Sequence, residues 1–162
     1  MSVTISGSGQ IVKQVIQTYV PASFSTTSTT AVDVTGLTAT ITPTNSANKI
    51  LVQVTAFGGC SVATAQGIGI LNRNGTTIGG GTVVGSDSSA FCCFRSGNTS
   101  TALPNGSMYL DSPATTSAVT YKIQALVQSG YTLYIGQEPA DGNAAASGRY
   151  PSIITLMEIA YA

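Results

Sequence analysis

Residues 31–43 read AVDVTGLTATITP, and their alternation decides the fold class. Val32 and Val34 fall on one side of an extended chain, Asp33 and Thr35 on the other. After Gly36 the alternation resumes, with Leu37, Ala39 and Ile41 on one side and Thr38, Thr40 and Thr42 on the other. Successive side chains of a strand point to opposite faces, so a period of two with one apolar face marks a half-buried strand. Pro43 closes the run because it has no amide hydrogen to give to a ladder.

The same period extends in both directions. In 49–57, Ile50, Val52 and Val54 oppose Gln53 and Thr55. Residues 68–78 hold Asn74-Gly75 between two short runs, and Asn-Gly accepts the positive φ of a type I′ hairpin turn. Gly79-Gly80-Gly81 then breaks the sheet, and 90–95 (AFCCFR) is a short strand. Pro104-Asn105-Gly106 predicts a turn before a strand at 107–111, where Met108 and Leu110 share a face. In 121–128, Tyr121, Ile123, Ala125 and Val127 oppose Lys122, Gln124 and Gln128. Gly130 turns the chain toward Tyr131, Leu133 and Ile135, which share a face, and residues 139–150 form a small, polar surface loop. A last strand spans 153–160, with Ile153, Met157 and Ile159 on one face and Ile154 and Leu156 on the other. A strand apolar on both faces is covered on both sides, so Ile153, Met157 and Ile159 are candidates for a subunit interface.

Near the start, Ile11, Val12, Val15 and Ile16 would also suit one face of a short helix. Val20-Pro21 and the Ser/Thr run behind it favour a strand. The expectation is an all-β chain: one antiparallel β-sandwich, a jelly roll of about eight strands. Residues 1–20 are a first strand or an attachment arm, with Ile11, Val12, Val15 and Ile16 as its gripping residues, and residues 21–162 are the sandwich domain.

Composition narrows the function. Charged residues make up 7% of the chain, and six basic residues cancel six acidic ones. Typical usage is about 25%. No two basic residues are adjacent, so no patch is present to displace counterions from phosphates, and nucleic acid is not an expected partner. Serine and threonine supply about a quarter of the chain. A near-neutral, hydroxyl-rich chain suits packing in an assembly or contact with a neutral partner. No apolar window is long enough to insert into a membrane, and residues 1–9 lack the charged and apolar regions of a signal peptide. The three cysteines, Cys60, Cys92 and Cys93, are odd in number and are read as small buried hydrophobes, with a bridge from Cys60 to one of the pair left open.

Catalytic patterns fail one by one. The chain has no histidine, so Ser-His and Cys-His pairs and the usual zinc sites are excluded. Gly59-Cys60-Ser61-Val62-Ala63 lacks the final glycine of a nucleophile elbow. Ser46-Ala47-Asn48-Lys49 fits Ser-x-x-Lys but runs into a strand, where serine and lysine are not held together as on a helix. Gly67-Ile68-Gly69 lacks the third glycine of a dinucleotide fingerprint. Of the carboxylates, Asp111, Glu138, Asp141 and Glu158 are the candidates for a glycosidase pair, and Glu158, on the face of Ile154 and Leu156, calls for a partner such as Lys49 or Lys122. The expectation is a non-enzyme with no cofactor and no metal.

Four stretches carry a resemblance: GQIVKQVIQT (9–18), FSTTSTTAVDVTGLTATITPTNSANKILVQV (24–54), MYLDSPATTSAVTYKIQALV (108–127) and SIITLMEIA (152–160). They resemble a module of tail-fibre and other virion structural proteins of marine and cyanobacterial phages, and cover nearly half the chain. Residues 58–107 carry no such resemblance. The resemblance implies a jelly roll, a homotrimer similar in build to complement globular-head and tumour necrosis factor-like domains, and a place on the virion surface after synthesis in the host cytoplasm. It implies other virion proteins as partners and carries no catalytic residues. The leading expectation is a tail-fibre-like or receptor-binding subunit that adheres to a host-surface glycan through loops 79–89, 97–106 and 139–150, with Arg149 and Tyr150 facing the ligand. The alternative is a capsid decoration, head-fibre or collar protein with no host ligand. A glycan-degrading tail enzyme is the remote third.

Overall fold

The computed structural model describes residues 11–95, 97–98 and 101–160. Among them are eleven strands: β1 Val12–Val20, β2 Phe24–Thr26, β3 Val32–Ile41, β4 Lys49–Cys60, β5 Gly67–Arg73, β6 Thr76–Ile78, β7 Cys92–Phe94, β8 Leu103–Asp111, β9 Val119–Val127, β10 Leu133–Ile135 and β11 Ser152–Ile159. No helix among the described residues is long and apolar enough to cross a membrane.

The strands form two antiparallel sheets. β4 is the hub of the first. On one side of it β11 pairs with residues 49–55 and β10 with residues 58–60; β8 also pairs with it, along residues 50–58. β1 lies outside β11, and β2 outside β10. The second sheet runs β3-β9-β5, with β6 and β7 both pairing with β5, at residues 71–73 and 67–69.

One core fills the space between the sheets. Ile50, Val52, Val54 and Ala56 of β4 and Ile154 and Leu156 of β11 are buried with Val119, Tyr121, Ile123, Ala125 and Val127 of β9. Each fully buried aliphatic side chain stabilises the fold by about 1.5–3 kcal/mol. Val34 and Leu37 are both buried although three residues apart. Gly36 between them has φ 79°, and the β3–β9 register slips between Asp33 and Thr38. This bulge shifts the phase of the alternation and returns Leu37, Ala39 and Ile41 to the core.

β5 shows why its glycines are there. A Cβ on Gly69 would lie 2.5 Å from Cys92 Sγ, and one on Gly67 would lie 2.8 Å from Leu133 Cδ1. These glycines give way to neighbouring side chains, in a strand with no phosphate-binding turn.

Several expectations change. Among the described residues there are eleven strands where about eight were expected; β6, β7 and β10 fall within runs read as extended, and β2, three residues long, does not. Pro104-Asn105-Gly106 is part of β8, paired with residues 55–57 of β4. Among the described residues β8 pairs with β4 alone, and an edge strand tolerates a proline. The Ser/Thr run after Pro21 includes β2. Near the start the favoured strand is present: residues 12–20 are β1, and Ile16 packs on the core. Residues 1–10 of the proposed arm lie outside the described residues. Asn74 and Gly75, at φ 47° and 92°, turn β5 into β6 as expected.

Candidate interaction face

The outer face of the first sheet is the feature that sets this molecule apart. The ladders place Val15, Met157, Leu51 and Leu110 side by side across β1, β11, β4 and β8. Gln17, Thr155, Gln53 and Met108 form the next row, and Tyr19, Ile153, Thr55 and Gly106 the one after. At the other end Val12 and Ile159 sit beside Lys49, the one charged residue among these paired outward positions. Lys13 occupies the bulge at the sheet margin. Val15 is 53% exposed, Tyr19 60%, Met108 64% and Leu110 53%. Scattered exposed hydrophobics are ordinary, but apolar residues gathered from four adjacent strands on one face, broken by a single polar row, are not.

The outer face of the second sheet has the opposite character. Lys122 Nζ pairs with Asp33 Oδ2 at 2.8 Å, and Gln124 Nε2 donates to Asp33 Oδ1 at 2.8 Å. Lys122 first, then Gln124, holds the Asp33 carboxyl below its usual range. The Thr40 and Thr120 hydroxyls lie 2.8 Å apart. The apolar outward residues of this sheet, Ile68, Ile70 and Leu126, are buried or half-buried at its other end.

The expected interface residues Ile153, Met157 and Ile159 all lie on the apolar face, partly exposed. Sequence periodicity missed their neighbours Tyr19, Leu51, Met108 and Leu110, which only the strand register brings alongside. Of the arm residues, Val12 and Val15 join the face, Ile11 is 37% exposed, and Ile16 turns inward opposite Leu156. Arg149 braces its own loop, and Tyr150 packs that loop against β4. The Tyr150 ring stacks on Phe57 at 4.9 Å, and Arg149 pairs with Asp141 and donates to Gln137 Oε1 at 2.8 Å.

Two buried carboxylates look chemical but are fully engaged. Glu158 is 0% exposed and accepts from Gln14 Nε2, Thr44 N, Thr44 Oγ1 and Asn48 Nδ2 at 2.6–2.8 Å. The partner expected among the lysines is instead this set of neutral donors. Lys122 is with Asp33, and Lys49 Nζ donates to Ser112 Oγ at 2.7 Å. Burial would raise the Glu158 pKa, but the donors Asn48, Gln14 and Thr44 bring it down to about 2. Asp111 accepts both Arg73 Nη1, at 2.8 and 2.9 Å, and the Tyr121 hydroxyl, at 2.7 Å. Burial, then the bond to Asp111, pushes the Tyr121 phenol well up. The cluster ties β8 in the first sheet to β5 and β9 in the second.

The cysteines are free thiols in three environments, correcting the reading of all three as buried: Cys60 is buried, Cys92 half-buried and Cys93 exposed. Burial raises Cys60 to about 11 and Cys92 to about 12. Among the described residues, no group of three or more Cys, Asp or Glu side chains is placed to hold a metal ion. Ser46 lies in a turn and Lys49 opens β4, the arrangement that removes Ser-x-x-Lys chemistry.

The class defined by this geometry is a two-sheet antiparallel β-sandwich with one polar outer face and one apolar, almost uncharged one. No protein-family model matches the chain, and no curated protein matches it.

Proposed function

We propose that this protein is a non-enzymatic structural subunit of a phage particle, a jelly roll that assembles as a homotrimer and adheres to host surfaces multivalently. The observation that carries the assembly is the apolar outer face of the first sheet, opposed to the ion-paired, hydroxylated outer face of the second. The phage and adhesion parts rest on the resemblance of residues 9–18, 24–54, 108–127 and 152–160.

Strand order supports the jelly roll. If β11 and β10 count as one position beside β4, β1 and β2 as the one outside it, and β6 and β7 as one beside β5, the order β1/β2-β11/β10-β4-β8 faces β3-β9-β5-β6/β7, which makes four positions in each sheet. The chain passes between sheets at β3, β4, β5, β8, β9 and β10. A ring supplies more contact than the apolar face alone. Four strands of seven residues give the apolar face about 450 Å2 in plan. Each side of a standard interface contributes about 800 Å2, so the face alone falls short. In a ring each subunit uses two different patches and is held at two interfaces. Three copies then present three sets of loops, and weak contacts add through effective concentration.

Capsid decoration is the second reading. It is favoured by the engagement of Arg149 within its own loop and of Tyr150 on Phe57 of β4, and by the small side chains at the exposed tip of that loop, 142–146. Cryo-electron microscopy of the particle separates the two. Trimeric density at the distal end of the tail is the expected result; a regular array on the capsid replaces adhesion with decoration; no density for this chain overturns the virion role. Release of reducing ends from host polysaccharide would overturn the non-enzymatic part.

A further inference from the structure

The apolar face is interrupted by one polar row, Gln17, Thr155 and Gln53, ending at Met108. Gln17 Nε2 donates to Thr155 Oγ1 at 3.0 Å. The Gln53 amide, exposed on β4, has no side-chain hydrogen-bond partner among the described residues. Shallow hollows of about 310 and 330 Å3 lie on either side, one toward Val15 and Met157, the other toward Gly106 and Met108. Gln53 and Thr55 line both, so they form a ridge between two hollows.

We propose that copies of the chain meet at this row, with Gln53 of each copy beside the threefold axis and facing Gln53 of the next, and with the ridge that Gln53 forms with Thr55 of the adjacent row set into a hollow of that neighbour. The inference rests on the self-assembly reading above and adds which residues set the register. A carboxamide is donor and acceptor at once, so it pairs with its own copy as a carboxylate or an ammonium cannot. Ridge and hollow lie next to each other, so one surface supplies both halves of the fit. The paired outward positions hold one charge, Lys49 at the far end, so nothing in them selects a charged partner, whereas this chain, with charged residues at 7%, matches them. A polar row inside an apolar contact disfavours slipped packings, because a slip leaves a buried amide unpaired.

The test uses the full chain with Cys93→Ser, which removes the exposed thiol, and adds Gln53→Cys, Thr55→Cys or, as a control on the polar sheet, Thr77→Cys. Each protein is oxidised with copper phenanthroline and run on a non-reducing gel, beside sedimentation of the wild type. Self-contact predicts that Gln53→Cys or Thr55→Cys forms linked dimers about tenfold faster than Thr77→Cys, because thiols held together have a raised effective concentration. If the wild type is oligomeric but neither ridge variant links faster than the control, the row lies away from the axis; this inference falls and self-assembly stands. A wild type that is monomeric at every concentration overturns both.

Discussion

Gln14 Nε2 lies 2.7 Å from Glu158 Oε2, so a side chain of the first strand donates to a carboxylate of the last. The second amide hydrogen of Gln14 goes to Thr42 O, also at 2.7 Å. With Thr44 and Asn48 this joins β1, β11 and the turn before β4 around one buried anion. Glu158 has an ordinary value of 4.5 and is lowered to about 2 in the fold. Its contribution is therefore complete above pH 4.5 and is lost as pH falls from there toward 2, about 3 kcal/mol in all. Glu158→Gln should cost about 2–4 kcal/mol at pH 7, because amide donors then face an amide. Urea denaturation at pH 7 and pH 3 checks the sign: the gap between wild type and variant should narrow at the lower pH.

The Asp111 cluster should matter far more than the surface pair. Tyr121→Phe removes one hydrogen bond to a buried carboxylate and should cost about 1.5–3 kcal/mol. Asp111→Ala leaves Arg73 without its partner and should cost about 3–5 kcal/mol. Lys122→Ala, on the exposed outer face, should cost under about 1 kcal/mol. Chemical denaturation of the three variants orders them; a Lys122→Ala cost equal to that of Asp111→Ala contradicts the assignment.

How much of this was legible follows from range. The alternation of Val32 to Ile41, the β9 pattern and the Asn74-Gly75 turn are local, and each appears in the fold. Pro104-Asn105-Gly106 misleads because its partners, residues 55–57, lie far back in the chain, and pairing overrides a local turn preference. β2, three residues long, is too short to show a period, whereas the shared face of Leu133 and Ile135 in β10 was legible because Tyr131 extends the alternation. Ile153, Met157 and Ile159 were visible because β11 carries apolar residues on both faces. Their union with Tyr19, Leu51, Met108 and Leu110 depends on register, which the sequence does not display. The donors to Glu158 come from a turn and an edge strand, where hydroxyls and amides carry no periodic mark.

The three thiols should separate cleanly. Cys93 is exposed, whereas burial raises Cys60 to about 11 and Cys92 to about 12. A thiol that stays protonated at neutral pH reacts slowly. Titration with a chromogenic disulfide at neutral pH should therefore modify one thiol in the native protein and all three cysteines after denaturation.

Gly69→Ala should destabilise although the site lies in a strand. The added Cβ would lie 2.5 Å from Cys92 Sγ and 3.1 Å from the Phe94 ring. Overpacking of this kind costs about 1–3 kcal/mol. Adding Cys92→Ala makes room, so the double variant should recover part of the loss in thermal denaturation; additive losses contradict the steric explanation.

The central claim is that another copy of the chain covers the apolar face of the first sheet. Sedimentation velocity of the wild type beside Leu110→Lys tests it most directly, since Leu110 is 53% exposed and its replacement should leave the fold intact. The account predicts a wild-type species of three times the 16.4 kDa chain mass, and a Leu110→Lys protein that melts normally but sediments as single chains. A wild type that sediments at 16.4 kDa over the whole accessible concentration range contradicts it.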